Sequence, residues 1–411
     1  MSAPPPPPAC VVVIGGGFAG LDAVRTLSAN LPSSSSLYLL DVSDHFQFLP
    51  AVPEVLGGAL ELADISVKFD GHKSLGTKTS FVLCESIEAV SASDQTVTYT
   101  PREASDDPSS KSTAAPVTLT FTHCILATGC SYPSPVKQLP LLCSKASLLS
   151  QLHSKIVGSP DLPLLVAGGG HAGTEVVCEL ANRYPSKRIV FCTGSGGLLP
   201  GHTAGQIAYA MKHFTRMCRN VDVREERVSL VSPGPSGDNP GPSVRVYRTS
   251  STGEEIATDV YVDCTGFGTA NLDFLSADFA RTDKGHAKVD TQTHQVTLST
   301  GATSSTIFAA GDCREKANSS RTAAAAHGEG RFAARQVLRS LSSRPLRAAS
   351  SNPSVVALSL GPADGLFMAA GKTVMWGRPV LVARKAVRVG WNSVMPLAPS
   401  WNKKWLDGKV K

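Results

Sequence analysis

The sequence predicts an α/β chain with two Rossmann-like, three-layer dinucleotide-binding domains and a smaller C-terminal α+β segment. Three observations carry that expectation. The loop Gly15-Gly16-Gly17-Phe18-Ala19-Gly20 follows four β-branched residues, Val11 to Ile14. The pattern returns about 150 residues later as Gly168-Gly169-Gly170-His171-Ala172-Gly173. Each loop then leads into a helix-forming run and a second apolar strand. That full strand–loop–helix–strand context separates both loops from chance glycine matches.

In the first unit, Gly15, Gly17 and Gly20 hold the G-x-G-x-x-G spacing. Such glycines make a tight turn, let backbone approach a pyrophosphate and let helix pack on strand. Residues 21–27 predict the helix, whose N-terminus faces the negative charges. Residues 37–40 predict the next strand, which ends on Asp41, a carboxylate placed for a ribose hydroxyl. His45-Phe46-Gln47-Phe48-Leu49-Pro50 follows, then a short helix over 54–60 and strands over 81–90 and 96–99. Residues 102–116, rich in Ser, Asp, Ala and Pro, predict a solvated hairpin loop. Strands over 117–121 and 123–127 run into Ala127-Thr128-Gly129, and Pro133 and Pro135 mark a boundary.

The second unit has its strand over 162–167, a helix over 174–182 and a strand over 188–192. A helix containing residues 211–214 leads to a strand near Val221. Residues 232–243, with four prolines, predict another solvated loop, followed by strands over 244–247 and 260–263. A strand from Ile307 stops on Gly311-Asp312, a long helix covers 323–339, and residues 345–353 form a linker.

Composition narrows the class. The 411 residues allow two or three domains, and 42% hydrophobic against 18% charged residues fits a globular enzyme. No apolar run approaches the ~20 residues that cross a bilayer. Residues 1–9 hold five consecutive prolines and no basic residue, unlike a signal or transit peptide. The ten cysteines form no C-x-x-C pair, so a reducing, cytoplasmic setting and no metal site are expected. The net charge of +6 is concentrated at the end: residues 366–411 carry nine Lys/Arg against one acid, Asp407. Trp376, Trp391, Trp401 and Trp405 lie there too. On a helix, Arg384, Lys385 and Arg388 would share one face, and such a segment suits peripheral contact with an anionic lipid surface. A packed basic layer is the competing reading.

The order of motifs resembles the two-dinucleotide-binding-domain flavoproteins of the pyridine nucleotide–disulfide oxidoreductase superfamily. Within it, the chain is most similar to the apoptosis-inducing-factor-like quinone reductases (ferroptosis-suppressor type) and type II NADH dehydrogenases. The resemblance implies that Gly15, Gly17, Phe18, Ala19, Gly20 and Asp41 bind FAD, with Ala127, Thr128, Gly129 and Asp312 completing the site. It implies that Gly168, Gly170, Gly173 and Glu175 bind NADPH or NADH. The second domain is then inserted in the first: 1–134 and 267–345 for FAD, 135–266 for NAD(P)H, and 346–411 as the C-terminal segment. The implied chemistry is a hydride from nicotinamide C4 to flavin N5, then electrons to a quinone. His45, near the flavin in the family's chain path, and His327, in the first turns of the long helix, are the candidate catalytic residues.

Two departures refine this. No redox-active cysteine pair stands where the superfamily's disulfide reductases carry one: residues 41–60 contain no cysteine, and Cys143 has no close partner. Where the first unit has Asp41, the second has Thr193, with no carboxylate to bind a 2′-hydroxyl or repel a 2′-phosphate. NADPH is therefore expected to be accepted at least as well as NADH. The expected partner is a small-molecule quinone rather than nucleic acid. Reduction of a ferredoxin-like protein, or a nucleotide-gated binding protein with a DNA- or partner-contacting tail, are the alternatives.

Overall fold

In the computed structural model, the strand that opens the chain lies inside its largest sheet. The structure describes residues 8–69, 75, 76, 78–102, 112–132, 134, 136, 142–158, 162–232, 244–266, 268–316, 321–350 and 355–380. β1 (Cys10–Ile14) has parallel neighbours on both sides, β2 (Ser36–Asp41) and β8 (His123–Leu126). Val11, Val12 and Val13 are fully buried, as β-branched residues are in a strand covered on both faces. Between β1 and β2 runs α1 (Phe18–Asn30). The chain then forms β3 (His45–Gln47), α2 (Val52–Leu56), β4 (Ser66–Lys68), β5 (Thr79–Ser91), β6 (Thr96–Pro101) and β7 (Val117–Thr120). β9 (Cys130–Ser131) follows β8.

The middle of the chain opens with α3 (Leu142–Gly158) and repeats the first pattern as β10 (Leu164–Ala167), α4 (His171–Arg183) and β11 (Ile189–Cys192). Then come α5 (Ala204–Met217), β12 (Val221–Arg224), β13 (Val228–Ser232), β14 (Arg245–Thr249), β15 (Glu255–Thr258), β16 (Tyr261–Asp263) and β17 (Thr269–Ala270). The last part holds β18 (Gln295–Thr297), β19 (Thr303–Ala309), α6 (Ala323–Leu341), β20 (Val355–Ser359), β21 (Gly365–Ala369) and β22 (Lys372–Trp376).

The eight-stranded sheet has the order β18-β19-β8-β1-β2-β5-β6-β7. It joins strands from both sides of the sequence that makes the second parallel sheet, β12-β11-β10-β16. In that second sheet β10 lies between β11 and β16, as β1 lies between β2 and β8. Alternate residues of β1 face opposite cores: Val11 and Val13 pack with α1 and α6, Val12 and Ile14 with Leu126 and Ile307. Gly330 lets α6 press on α1, because a Cβ there would stand 1.9 Å from the Ala19 carbonyl oxygen. β20, β21 and β22 form an antiparallel meander whose Leu358, Leu366 and Met368 join the core around α4.

Several sequence expectations shift. The helix expected over 54–60 is the shorter α2, which begins at Val52 and gives way to turns from Gly57. α3 was not expected, and neither were β13, β15 or the partners of β20. The linker near Pro345 is tied down: Gln336 donates to the Arg347 carbonyl at 2.6 Å and accepts from its N–H at 3.1 Å. Most of the two solvated loops, Pro133, Pro135, and the basic stretch with Arg384, Lys385 and Arg388 lie outside the described residues.

Candidate active site

Both glycine loops open on one cavity of about 1370 Å³. At the end of β1, Gly15 has φ +99°, and a Cβ on it would stand 2.5 Å from the Ala127 carbonyl oxygen. A Cβ on Gly20 would stand 1.7 Å from the Gly15 carbonyl, so the first turn of α1 rests directly on the loop. Gly17 differs: nothing lies within 4 Å of where its Cβ would be. It is the N-cap of α1 and supplies no side chain to cap the helix. The second loop repeats each feature. Gly168 has φ +109° and abuts Cys264, Gly173 rests on Gly168, and Gly170 is open and caps α4 without a side chain. Two helix N-termini therefore present uncapped N–H groups to one space, the arrangement that binds phosphate. A pyrophosphate fits at either, and a side chain at Gly17 or Gly170 would fill that position.

Asp41 ends β2 beside the first loop. Its carboxylate accepts from the Gly16 N–H, and from the Ser43 N–H at 2.8 Å. Burial pushes its pKa up, and these N–H groups work against that rise. Ala127, Thr128 and Gly129 follow β8 along the same wall, and Asn271 braces them by donating to the Thr128 carbonyl at 3.1 Å. Asp312 follows β19, with Lys316 donating to its Oδ1 at 3.2 Å. A buried network fixes this turn. Glu329 on α6 accepts from the Gly311 N–H at 2.8 Å and from Arg314 at 3.0 Å, and pairs with Lys316 at 3.1 Å. Burial alone would raise the Glu329 carboxyl, but the Arg314 hydrogen bond, the two cations and the Gly311 N–H hold it below its ordinary value. Arg321 donates to the Asp312 carbonyl at 2.7 Å. None of Arg314, Lys316, Arg321 or Glu329 was singled out by its sequence pattern.

Near the second loop, Thr193 occupies the place that Asp41 has in the first unit, and its hydroxyl donates to the Arg224 carbonyl at 3.1 Å. Glu226 and Arg227 line the cavity here, two further residues missed from sequence. The Thr252 N–H, with the Ser251 hydroxyl and N–H, holds the Glu226 carboxyl at about 2. Arg227 is exposed at the wall. Glu175 lines the cavity, and its Oε1 accepts from the Ser359 N–H at 2.8 Å, which ties α4 to β20. His171 meets His202 with Nε2 atoms 3.1 Å apart, and burial, with the second imidazole, pushes His171 down to about 4.

Of the two candidate catalytic histidines, only His45 reaches the cavity. It is half-buried, with Nδ1 2.6 Å from Asp44. Phe46 and Phe48 beside it are buried and stack edge-on against Phe18, at 5.1 and 5.9 Å between ring centroids. His327 does not line the cavity. It lies one turn beyond Ala323 on α6, where its Nδ1 pairs with buried Asp22 of α1 and its Nε2 stands 2.5 Å from Arg331. Its position joins two helices, since α6 has by then passed from the cavity edge to the contact with α1.

One stretch of wall is apolar. Phe48, Leu49 and Pro50 contribute from one side, and Val355, Ala357 and Phe367 of the C-terminal meander from the other. Among the described residues, no helix is long and apolar enough to cross a membrane.

Comparison with known proteins agrees with this geometry. The pyridine nucleotide-disulphide oxidoreductase family matches residues 9–330. Ferroptosis suppressor protein 1 of Mus musculus is 26% identical over 287 residues, covering 69% of this chain and 71% of that protein. The Homo sapiens protein of the same name is 25% identical over the same length and shares. Among solved structures, the sulfide:quinone oxidoreductase of Aquifex aeolicus superposes with a TM-score of 0.73 at 17% identity, covering 98% of this chain and 96% of that one. NDH2 of Plasmodium falciparum in complex with NADH gives 0.69 at 13% identity, with 98% of each chain covered. The chain belongs to the pyridine nucleotide-disulphide oxidoreductase family and is an FAD-dependent NAD(P)H oxidoreductase.

Proposed function

We propose that this chain is an NAD(P)H:quinone oxidoreductase. In this reading residues 1–134 and 267–345 hold FAD, residues 135–266 hold the nicotinamide nucleotide, and residues 346–411 complete the acceptor side. The observation that carries it is the shared cavity, where two phosphate-binding loops and an apolar wall meet. The names of similar proteins support the choice of acceptor, since one of the solved structures is a sulfide:quinone oxidoreductase.

Bound FAD would supply the redox-active ring, accepting a hydride and passing electrons onward. The protein's part is binding, orientation and exclusion of water. The Gly15–Gly17 turn and the N-terminus of α1 hold one pyrophosphate, Asp41 its ribose, and Asp312 the chain that leads to the ring. Gly168, Gly170 and the N-terminus of α4 hold the second pyrophosphate. Thr193 brings no negative charge to the 2′ position of its ribose, Arg227 brings a cation to that wall, and the neighbouring Glu226 carboxylate is engaged by Ser251 and Thr252, so NADPH is accepted at least as well as NADH. Phe48, Pro50, Ala357 and Phe367 exclude water from the acceptor and suit a flat apolar ring. Of the two candidate histidines, His45, tied to Asp44, is the one that lines the cavity, and it hands a proton to the acceptor.

Acceptor preference tests the reading. Purified protein should oxidise NADPH rapidly with a short-chain quinone and slowly with a ferredoxin-like protein; the reverse order would remove the quinone proposal. Peripheral membrane contact is the second part. Val374 and Trp376 of the C-terminal meander are 57% and 61% exposed. Full-length protein should float with anionic vesicles, and a chain ending near Arg347 should not; equal flotation removes the contact.

A further inference from the structure

Away from the cavity, α4 and α5 bring together three side chains that no part of the redox reading uses. Cys178 lies two turns into α4, His213 lies in the last two turns of α5, and Cys218 is the residue that caps α5. The two cysteines are fully buried and His213 is 6% exposed. Their ligand atoms all lie within 4.8 Å of one another. Zinc bound at about 2.3 Å to sulfur and 2.0–2.1 Å to nitrogen separates its ligand atoms by roughly 3.5–4 Å, so the cluster needs little movement to close on an ion.

The histidine is oriented for this. Asp364, in the turn between β20 and β21, accepts from His213 Nδ1 at 2.8 Å. That carboxylate is itself fixed by the Tyr209 hydroxyl at 2.8 Å and the Gly365 N–H at 2.7 Å. With Nδ1 donating to Asp364, Nε2 is the ring nitrogen left to face the thiols, and it is buried; a bound ion would take the place of its proton. A carboxylate behind a histidine whose other nitrogen points at thiols is the usual support of a metal-ligating imidazole. A divalent ion with two thiolates is neutral overall, which a buried site tolerates and a lone thiolate does not.

We propose that Cys178, His213 and Cys218 bind one Zn²⁺, with a non-protein donor in the fourth position. The donor set of two thiolates and an imidazole is one that zinc favours. The ion clamps the C-terminal meander to the second nucleotide-binding unit: Asp364 reaches it through His213, while Gln206 donates to Gly371 and Thr373 alongside. No sequence motif marks it, because the ligands are separated by 35 and 5 residues along the chain and come together only when α4 packs on α5.

The test is elemental analysis of full-length protein grown with added zinc and dialysed against metal-free buffer. One zinc per chain is expected, with a zinc-edge absorption spectrum showing two sulfur neighbours. The C178S/C218S double variant should lose that zinc. Asp364→Asn keeps every ligand and should weaken zinc retention in a chelator titration by about 10- to 100-fold, the usual cost of removing such support. It guards against a double variant that fails to fold. Less than about a tenth of an equivalent of zinc, zinc without sulfur neighbours, or a Cys178–Cys218 disulfide in the isolated protein would overturn the proposal.

Discussion

Thr193 and Asp41 hold equivalent places in the two units, and the difference between them is one charge. Arg227, at the cavity wall nearby, adds a cation, and Glu226 beside it a carboxylate engaged by Ser251 and Thr252. Removing a charge-assisted contact costs about 1.5–3 kcal/mol, so Arg227→Ala should raise KM for NADPH about tenfold or more while changing that for NADH little. Thr193→Asp should move preference toward NADH by repelling the 2′-phosphate. Equal responses to both nucleotides would place the adenine ribose elsewhere. Glu329 makes a different prediction, about stability. Its folded-state pKa is depressed, so the stability it contributes is fully present above its ordinary value near 4.5 and is lost as pH falls through the folded value. Glu329→Gln leaves Arg314 buried without its carboxylate and Lys316 with Asp312 alone, and should cost about 3 kcal/mol at neutral pH. In thermal melts the gap to the parent protein should narrow as pH falls below 4.5; a constant gap from neutral to strongly acid pH would mean the carboxylate is not held ionised.

At the scale of elements, the α1–α6 contact depends on a missing side chain. Gly330→Ala places a methyl group 1.9 Å from a backbone oxygen, so the helices must separate. Overpacking of this kind costs about 1–3 kcal/mol, and because α1 carries the first glycine loop, flavin content after gel filtration should fall as well. Phe367 tests the meander as a cavity wall. Phe367→Ala should lower kcat/KM for a quinone several-fold and leave the rate of flavin reduction by NADPH unchanged. Loss of both rates together would make β21 a structural support only.

These elements also show what the sequence made legible. The glycine loops could be read because their work depends on local spacing: Gly15 must turn, Gly17 must be bare, Gly20 must pack, and all three lie within six residues. β1, β2, β10 and β11 could be read because burial on both faces demands unbroken apolar runs. α3 was missed although Leu149, Leu152 and Ile156 recur at helical spacing, because serines and lysines interrupt the stripe. Glu226, Arg314 and Glu329 carry no local signature. Their partners stand 13 to 26 residues away or lie on another element, so only the fold defines them. His327 illustrates the opposite error, a residue at the right end of the right helix whose side chain serves a helix contact.

For the whole molecule, the eight-stranded sheet unites strands separated by more than 150 residues, and this brings Asp312 to the loop at Gly15. The second parallel sheet repeats the same plan and faces the same cavity. In the proposed function electrons cross that cavity in one direction, from a nucleotide at the Gly168 loop to an acceptor at the apolar wall. Anaerobic stopped-flow spectroscopy of the purified protein follows this at the visible absorption band of the bound flavin. NADPH should bleach the band within the turnover time, and a short-chain quinone should then restore it without oxygen. A band that NADPH and NADH both leave unbleached, or that bleaches and fails to recover with quinone, would contradict the proposed function.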